Sequence, residues 1–319
     1  MGGLLRRLAL AILTGYIFVY FSEYAFWARP LDEARFPGAV GLLLVYAFAA
    51  YVFLALVVTF RARTLAAVFL AGALFGWLDE GLIVQTMYAQ LPLSISFTGL
   101  AWHALLTVVV GWLAVQRVLR AGRWWRTALV AALIGAAYGV WAIWWWIAAP
   151  PAVPLLTFAL YALGTTFARA CAYWLASRPA LLRFAPTRGE LVVMVLLIAL
   201  YFVFVSVPQQ PLAAVILPPL VLLVLLGLRK NRRAETRANA LAMLAEAGPL
   251  RLRDVLPLLA LPAAAIMVYA LAGAARVLLP TGVVIYVLTT VLGFLFLAAS
   301  LLAIWRAKPV VVVPSLAVE

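Results

Sequence analysis

The sequence has very little of what builds disulfides, metal clusters or a charged surface. It contains one cysteine, Cys171, and one histidine, His103. One residue of each kind excludes a disulfide framework and a Cys/His metal cluster. Charged residues make up 11% of the 319 residues, whereas an average soluble domain has about 25%. Lys230 and Lys308 fall outside the apolar segments, which excludes a retinal-type Schiff base inside a membrane.

The short signatures of common enzyme classes are also missing from the sequence. The chain has no GxSxG, HExxH or Walker A segment and no dinucleotide-binding fingerprint. It therefore lacks the nucleophile, zinc and phosphate sites that these motifs form. We predict no cofactor and no bound metal ion, and the sequence identifies no catalytic residue.

Apolar residues are abundant instead. They make up 68% of the chain, more than a water-soluble fold can bury, and a helix needs about 20 of them to cross a bilayer. The predicted fold is all-α, a polytopic transmembrane bundle of about ten spans that forms a single membrane domain over residues 1–305. Apolar windows bounded by charge, proline or glycine place the spans near 8–28, 38–60, 64–88, 93–116, 127–148, 153–176, 190–207, 211–228, 255–279 and 281–305.

The positive charges follow this pattern of spans. If the N-terminus is cytoplasmic, 20 of the 24 Lys and Arg residues fall in cytoplasmic segments, and only Arg29 and Arg35 fall in outer loops. Because Lys and Arg accumulate in cytoplasmic loops, both termini are predicted to be cytoplasmic, in a prokaryotic plasma membrane. The net charge of +14 then reflects contacts with anionic lipid headgroups, and no nucleic acid partner is expected.

The long loop at residues 229–254 is basic and cytoplasmic in this arrangement. Its middle favours a helix that stops at Gly248-Pro249, with Leu241 and Leu244 on one face. We predict a short interfacial helix on the inner leaflet, and a C-terminal tail over residues 306–319. Ten spans also permit a five-plus-five pseudo-repeat, a common plan among transporters.

An acidic pair lies near the outer end of the third span. Ionisable groups inside hydrocarbon are costly and commonly functional, which makes Asp79 and Glu80 candidates for a site. Gly72, Gly76 and Glu80 repeat every four residues, and small residues at this spacing allow a second helix to approach closely. Glu80 is therefore predicted to point into the bundle. The alternative is an acidic pair in the headgroup region.

A polar stripe follows the fourth span, where Gly99, His103, Thr107 and Gly111 repeat every four residues. This stripe has to face protein, because lipid offers no hydrogen-bond partners. His103 is predicted either to relay a proton or contact a substrate, since histidine titrates near neutrality, or to be a structural residue bonded to a neighbouring helix.

Three further spans contribute candidates. Glu23 ends the first span among aromatic residues, and Arg276 ends the ninth span on the same outer side. With Asp79, Glu80 and His103 they form the predicted outward-facing site for a cation, a proton or a cationic solute. The alternative is mutual neutralisation of these charges. Arg169, in the inner third of the sixth span, is a candidate for binding an anion or a lipid headgroup on the inner side.

Three functions agree with these features. The first is a transporter or permease with its site in spans 1, 3 and 4. The second is an accessory or lipid-binding membrane subunit without turnover, whose partners are lipids and other membrane subunits. The third is an intramembrane enzyme that acts on a lipid or isoprenoid, with Glu23 or Glu80 as the general acid or base.

Overall fold

The structure is a computed structural model that describes residues 2–30, 37–235, 238–278 and 280–307. Within these residues, ten apolar helices are long enough to cross a membrane. The chain is thus an all-α polytopic bundle, which confirms the fold predicted from hydropathy. In chain order, spans 1 to 10 are Gly3–Trp27, Gly38–Thr59, Leu65–Ile83, Leu93–Arg120, Trp124–Ala148, Leu155–Ala176, Arg188–Gln209, Ala213–Ala234, Leu252–Ala274 and Thr281–Arg306. The loop cation Arg35 and most of the C-terminal tail lie outside the described residues.

Arginine side chains connect loops at both ends of the bundle. We call the end that carries the N-terminus and the basic loop the proximal end, and the opposite end the distal end. At the proximal end Arg63 Nη1 donates to the carbonyl of Ala238 at 3.1 Å. At the distal end Arg29 Nη2 donates to the carbonyl of Ala149 at 3.1 Å. Arginine thus ties neighbouring loops together at both ends.

The third and eighth helices end at different residues from those predicted. Span 3 ends at Ile83 instead of residue 88, because Gln85 takes a left-handed conformation with φ 67° and only a short 3₁₀ turn, Thr86–Tyr88, follows. Span 8 continues beyond residue 228 to Ala234. There the side-chain amide of Asn231 donates to the carbonyl of Phe60 at 3.0 Å, so this basic extension packs against the loop after span 2.

The basic loop does contain a short helix, Ala240–Glu246, but protein covers it. Leu241 and Leu244 are buried, the backbone amide of Ala240 donates to the carbonyl of Ala62 at 2.9 Å, and Arg120 Nε donates to the carbonyl of Leu244 at 3.1 Å. The interfacial position of this helix stays a prediction, but its two leucines contact protein. The apolar face of this helix packs on the proximal loops.

The first half of the chain forms the centre of the bundle. In span 3, 83% of the apolar window is buried, against 11% in span 7. The glycine spacing in span 3 explains this burial, because a Cβ atom on Gly76 would lie 2.1 Å from the carbonyl oxygen of Gly99 in span 4. Spans 3 and 4 thus touch backbone to backbone, as the spacing predicted.

Candidate functional site

Three stretches of π-helix lie in the centre of the bundle, at Tyr20–Tyr24 in span 1, Leu78–Ile83 in span 3 and Phe97–Ala114 in span 4. They contain Glu23, Asp79, Glu80 and His103. A π-helix is rare, is seldom longer than one turn, and occurs frequently at functional sites. Four of the five candidates for the outward-facing site thus sit on widened helical turns.

The phenol of Tyr46 in span 2 joins two of the acids. Its hydroxyl lies 2.8 Å from Asp79 Oδ2 and 2.5 Å from Glu23 Oε1, and its single proton can be donated to only one of them. The side chains of Tyr46 and Asp79 are both buried. The carboxyl groups of Glu23 in span 1 and Asp79 in span 3 therefore contact the same hydroxyl group.

The imidazole of His103 in span 4 contacts Glu80 and lies close to Asp79. Its Nε2 atom lies 2.9 Å from Glu80 Oε1 and 3.5 Å from Asp79 Oδ2. Its Nδ1 atom lies 2.8 Å from the hydroxyl of Ser22, which lies 3.0 Å from the hydroxyl of Thr107. Both ring nitrogens therefore have partners.

We call Glu23, Tyr46, Asp79, Glu80 and His103 the carboxyl–histidine cluster. Its members differ in exposure: the side chains of His103 and Asp79 are 2% and 3% exposed, whereas that of Glu80 is 12% exposed. The exposed indole of Trp27 donates to Glu23 Oε2 at 3.0 Å. The cluster thus extends from partly exposed carboxylates at the distal end to a buried acid and imidazole.

The distal loop after span 3 helps to fix the cluster. The hydroxyl of Tyr88 donates to the carbonyl of Gly81 at 2.8 Å. Burial raises the pKa of Tyr88 to about 12, so this phenol remains a donor at neutral pH. The hydroxyl of Thr86 donates to Glu80. The loop therefore holds both the end of the π-helix and one of its carboxylates.

A distal cavity of about 430 Å³ reaches this loop. Thr86 lines it, together with Gln90 and Ser94 and the aromatic side chains of Phe26 and Trp145. Thr86 also contacts Glu80, so its side chain connects the wall of the cavity with the cluster.

The cluster also has the donor chemistry of a cation site. Ligand atoms of Asp79, Glu80 and His103 all lie within 4.8 Å of one another. Carboxylate oxygen and imidazole nitrogen are common ligands of small divalent metal ions. We predicted no metal from the sequence, but the three side chains can supply a ligand set.

No protein-family model, curated protein or solved structure matches the chain. The function therefore has to be argued from the geometry of the site.

Two distal arginines lie apart from the cluster. Arg276 follows the end of span 9 with an exposed side chain, and span 9 packs mainly on spans 5 and 6. Arg29 donates to a backbone carbonyl and lies over the indole of Trp145, 5.5 Å from the ring centroid. The structure thus brings together Glu23, Asp79, Glu80 and His103, and it leaves Arg276 outside.

Arg169 in span 6 is completely buried, with an exposed fraction of 0%. Its guanidinium carbon lies 4.0 Å from the ring centroid of Tyr20 and 5.9 Å from that of Tyr173. The side chain does not extend towards headgroups, because aromatic rings and neighbouring helices enclose it.

Tyr46, Ser22 and Thr86 are members of the site's hydrogen-bond network that the sequence did not reveal. Tyr46 lies in the apolar segment LLLVYAFAAY of span 2. A buried phenol usually needs a hydrogen-bond partner, and that requirement is the signal that could have linked Tyr46 to an acid. Ser22 precedes Glu23, and on a regular helix the two residues would face different directions.

Proposed function

We propose that the chain is an integral membrane permease for a small cation, which binds at the carboxyl–histidine cluster. One observation carries this proposal: three acids and the single histidine, from spans 1, 3 and 4, converge within hydrogen-bond reach of Tyr46 or of each other. Titratable groups inside a membrane protein commonly mark ion and proton pathways. A surface acidic pair and an isolated structural histidine would not need to meet.

The spacing of the cluster favours a small ion. With ligand atoms of Asp79, Glu80 and His103 within 4.8 Å of one another, the cluster has room for a proton or one metal ion and not for an organic cation. A proton can be bound between Tyr46 and its two carboxyl neighbours. A phenol carries one proton, yet the hydroxyl of Tyr46 contacts two carboxyl groups, so both contacts are satisfied when one carboxyl is itself protonated.

Access to the cluster agrees with this function. Thr86 lines the 430 Å³ cavity and donates to Glu80, and Glu80 is more exposed than Asp79, so an ion from the distal side should meet Glu80 first. An enzyme acting on a lipid would instead need its acid in an apolar groove. The apolar cavity of about 290 Å³ beside spans 1 and 4 is lined by residues such as Phe21, Trp102 and Leu106, with no carboxyl or imidazole in its described wall.

Ion flux into liposomes tests the proposal. Purified chain is reconstituted with a pH-sensitive dye or a metal-sensitive dye inside, and protons, Mn²⁺ and Zn²⁺ are added outside in turn. We expect at least one ion to enter faster than in empty liposomes. Glu80→Gln should slow that entry by about tenfold or more, because one lost charge-assisted contact contributes about 1.5–3 kcal/mol.

Glu246→Gln is the matched control, because Glu246 is exposed on the short proximal helix. It should leave the flux unchanged. If none of the three ions enters, or if Glu80→Gln transports like the wild type, the cluster is not a transport site for them.

A second function, an accessory subunit without turnover, is favoured by span 7. With only 11% of its apolar window buried, this helix offers a large apolar face to a partner subunit. Purification of a stable heteromeric complex that is lost when span 7 is replaced by an unrelated apolar helix, together with absence of ion flux, would support this function over the permease.

A further inference from the structure

Three side chains of the carboxyl–histidine cluster point at one position. His103 Nε2 lies 2.9 Å from Glu80 Oε1 and 3.5 Å from Asp79 Oδ2. Ligand atoms that share one ion in a tetrahedral arrangement, at about 2.0–2.2 Å from it, are roughly 3.3–3.6 Å apart, so small shifts would let all three side chains contact a single ion. Glu80 is the most exposed of the three, and its partner Thr86 lines the 430 Å³ cavity. An ion should therefore reach this position from the distal side.

Each of these three side chains has a further contact with a hydroxyl group from another part of the chain. The hydroxyls belong to Ser22 in span 1, Tyr46 in span 2 and Thr86 in the distal loop. Metal ligands in proteins commonly have such outer partners, which fix the orientation of the imidazole and the carboxylates. The contact of Ser22 with Nδ1 leaves Nε2 of His103 as the ring nitrogen that faces the carboxyl groups. The three side chains therefore form an oriented ligand set.

The carboxyl groups of the cluster also lack a permanent positive partner. Among the residues that the structure describes, neither lysine nor arginine forms an ion pair with Glu23, Asp79 or Glu80. Charged groups inside a membrane protein are costly unless an opposite charge compensates them. The imidazole supplies one positive charge at most. A divalent cation supplies two, so it compensates the carboxylates more completely than the imidazole does.

We infer that the ion bound at Asp79, Glu80 and His103 is a divalent first-row transition-metal ion, such as Zn²⁺ or Mn²⁺. The inference rests on the proposed permease function and names its cargo. The imidazole is the deciding ligand, because Mg²⁺ and Ca²⁺ prefer oxygen ligands whereas transition-metal ions also bind imidazole nitrogen. The soft ion Cu⁺ is disfavoured, because it prefers thiolate and the single cysteine, Cys171, lies in span 6.

Equilibrium binding in detergent tests this inference without requiring transport. The full chain is purified with a tag that contains no histidine, stripped of metal, and titrated with Zn²⁺, Mn²⁺, Ca²⁺ or Mg²⁺ in a calorimeter. We expect one Zn²⁺ or one Mn²⁺ to bind per chain, and Zn²⁺ to bind more tightly. An excess of Ca²⁺ or Mg²⁺ of about a hundredfold should not displace Mn²⁺.

His103→Gln should weaken Zn²⁺ binding by about a hundredfold or more, since loss of even an outer partner of a metal ligand costs about 10- to 100-fold. Glu246→Gln, at an exposed residue of the short proximal helix, should bind like the wild type. A measurement on the wild type alone guards against a His103→Gln chain that does not fold. Because His103 is the only histidine, ¹⁵N-labelling of histidine should change the electron spin echo modulation of bound Mn²⁺.

Four results would each overturn the inference. They are failure of both Zn²⁺ and Mn²⁺ to bind, displacement of Mn²⁺ by Ca²⁺ or Mg²⁺, unchanged Zn²⁺ affinity in His103→Gln, and a Mn²⁺ signal without coupling to histidine nitrogen. The proposed permease function is tested separately. Metal binding without flux in liposomes would support the metal site and refute the permease, whereas proton flux through a chain that binds no metal would refute the metal site and support the permease.

Discussion

Replacing Asp79 by asparagine should abolish most of the ion flux while leaving the fold intact. Asp79 is the buried carboxyl between Tyr46 and His103, so every ion that reaches the inner part of the cluster meets it. Loss of a charge-assisted contact costs about 1.5–3 kcal/mol, and about 1.4 kcal/mol corresponds to a tenfold change. We therefore expect the initial rate at limiting ion concentration to fall by about ten- to a hundredfold.

The Tm of Asp79→Asn should respond differently from its ion flux. After Asp79→Asn, the hydroxyl of Tyr46 still has its hydrogen bond with Glu23, and the imidazole of His103 still has its hydrogen bond with Glu80. No buried charge therefore loses its only partner. The cost of about 3–5 kcal/mol that arises when a buried charge loses its only partner does not apply here, and Tm should stay about equal.

Asp254→Asn is the control for this substitution, because Asp254 lies at the proximal start of span 9, where it accepts from the backbone amide of Arg251 at 2.7 Å. It should leave the flux unchanged. The opposite pattern in Asp79→Asn, a clear loss of Tm with normal flux, would mean that Asp79 is a structural group and not an ion ligand.

Gly76→Ala should be among the most destabilising single substitutions in the chain. The added methyl would lie 2.1 Å from the carbonyl oxygen of Gly99 and 2.9 Å from the Cβ atom of His103. Since these neighbours are a backbone atom and the base of a side chain, spans 3 and 4 would have to separate. Overpacking costs about 3 kcal/mol in such cases, and Tm should fall by roughly 6–12 °C.

Gly164→Ala is the matched control, because a Cβ atom on Gly164 in span 6 meets nothing within 4 Å. This helical glycine should tolerate alanine, with a gain of about 0.5–1 kcal/mol from helix propensity. Thermal unfolding of both variants in the same detergent makes the comparison. Equal Tm values for the two variants would mean that spans 3 and 4 do not touch at Gly76.

The fold followed from hydropathy to a large extent, because crossing a bilayer requires a long, uninterrupted apolar helix. The differences arose where tertiary contacts decide the conformation. Gln85 ends span 3 early by taking a left-handed turn, and Asn231 lets span 8 continue because its amide finds the carbonyl of Phe60. The helix at Ala240–Glu246 was recognisable as amphipathic, but a pattern of apolar residues does not say whether protein or lipid covers them.

The members of the site were predictable one by one, because charged and polar residues inside a membrane are rare. The repeat of Gly72, Gly76 and Glu80 predicted that Glu80 points into the bundle, where its carboxylate contacts His103 of span 4. The sequence predicted a shared site from the depth of these residues in the membrane, but not which side chains contact each other, since those contacts depend on the π-helical turns that carry Glu23 and Asp79. Arg276 was grouped with them by depth alone, and depth does not show which helices are neighbours.

Solid-state nuclear magnetic resonance on the single histidine tests the central claim most directly. Because His103 is the only histidine, ¹⁵N-labelled histidine gives one imidazole, and ¹³C-labelled glutamate and aspartate give the carboxyl carbons. In liposomes we predict dipolar coupling of Nε2 to a glutamate carboxyl, matching the 2.9 Å contact with Glu80, and a shift of this nitrogen when the transported ion is added. Loss of the glutamate coupling in Glu80→Gln would assign it. An imidazole that couples to no carboxyl carbon and does not respond to any of the ions would contradict the account.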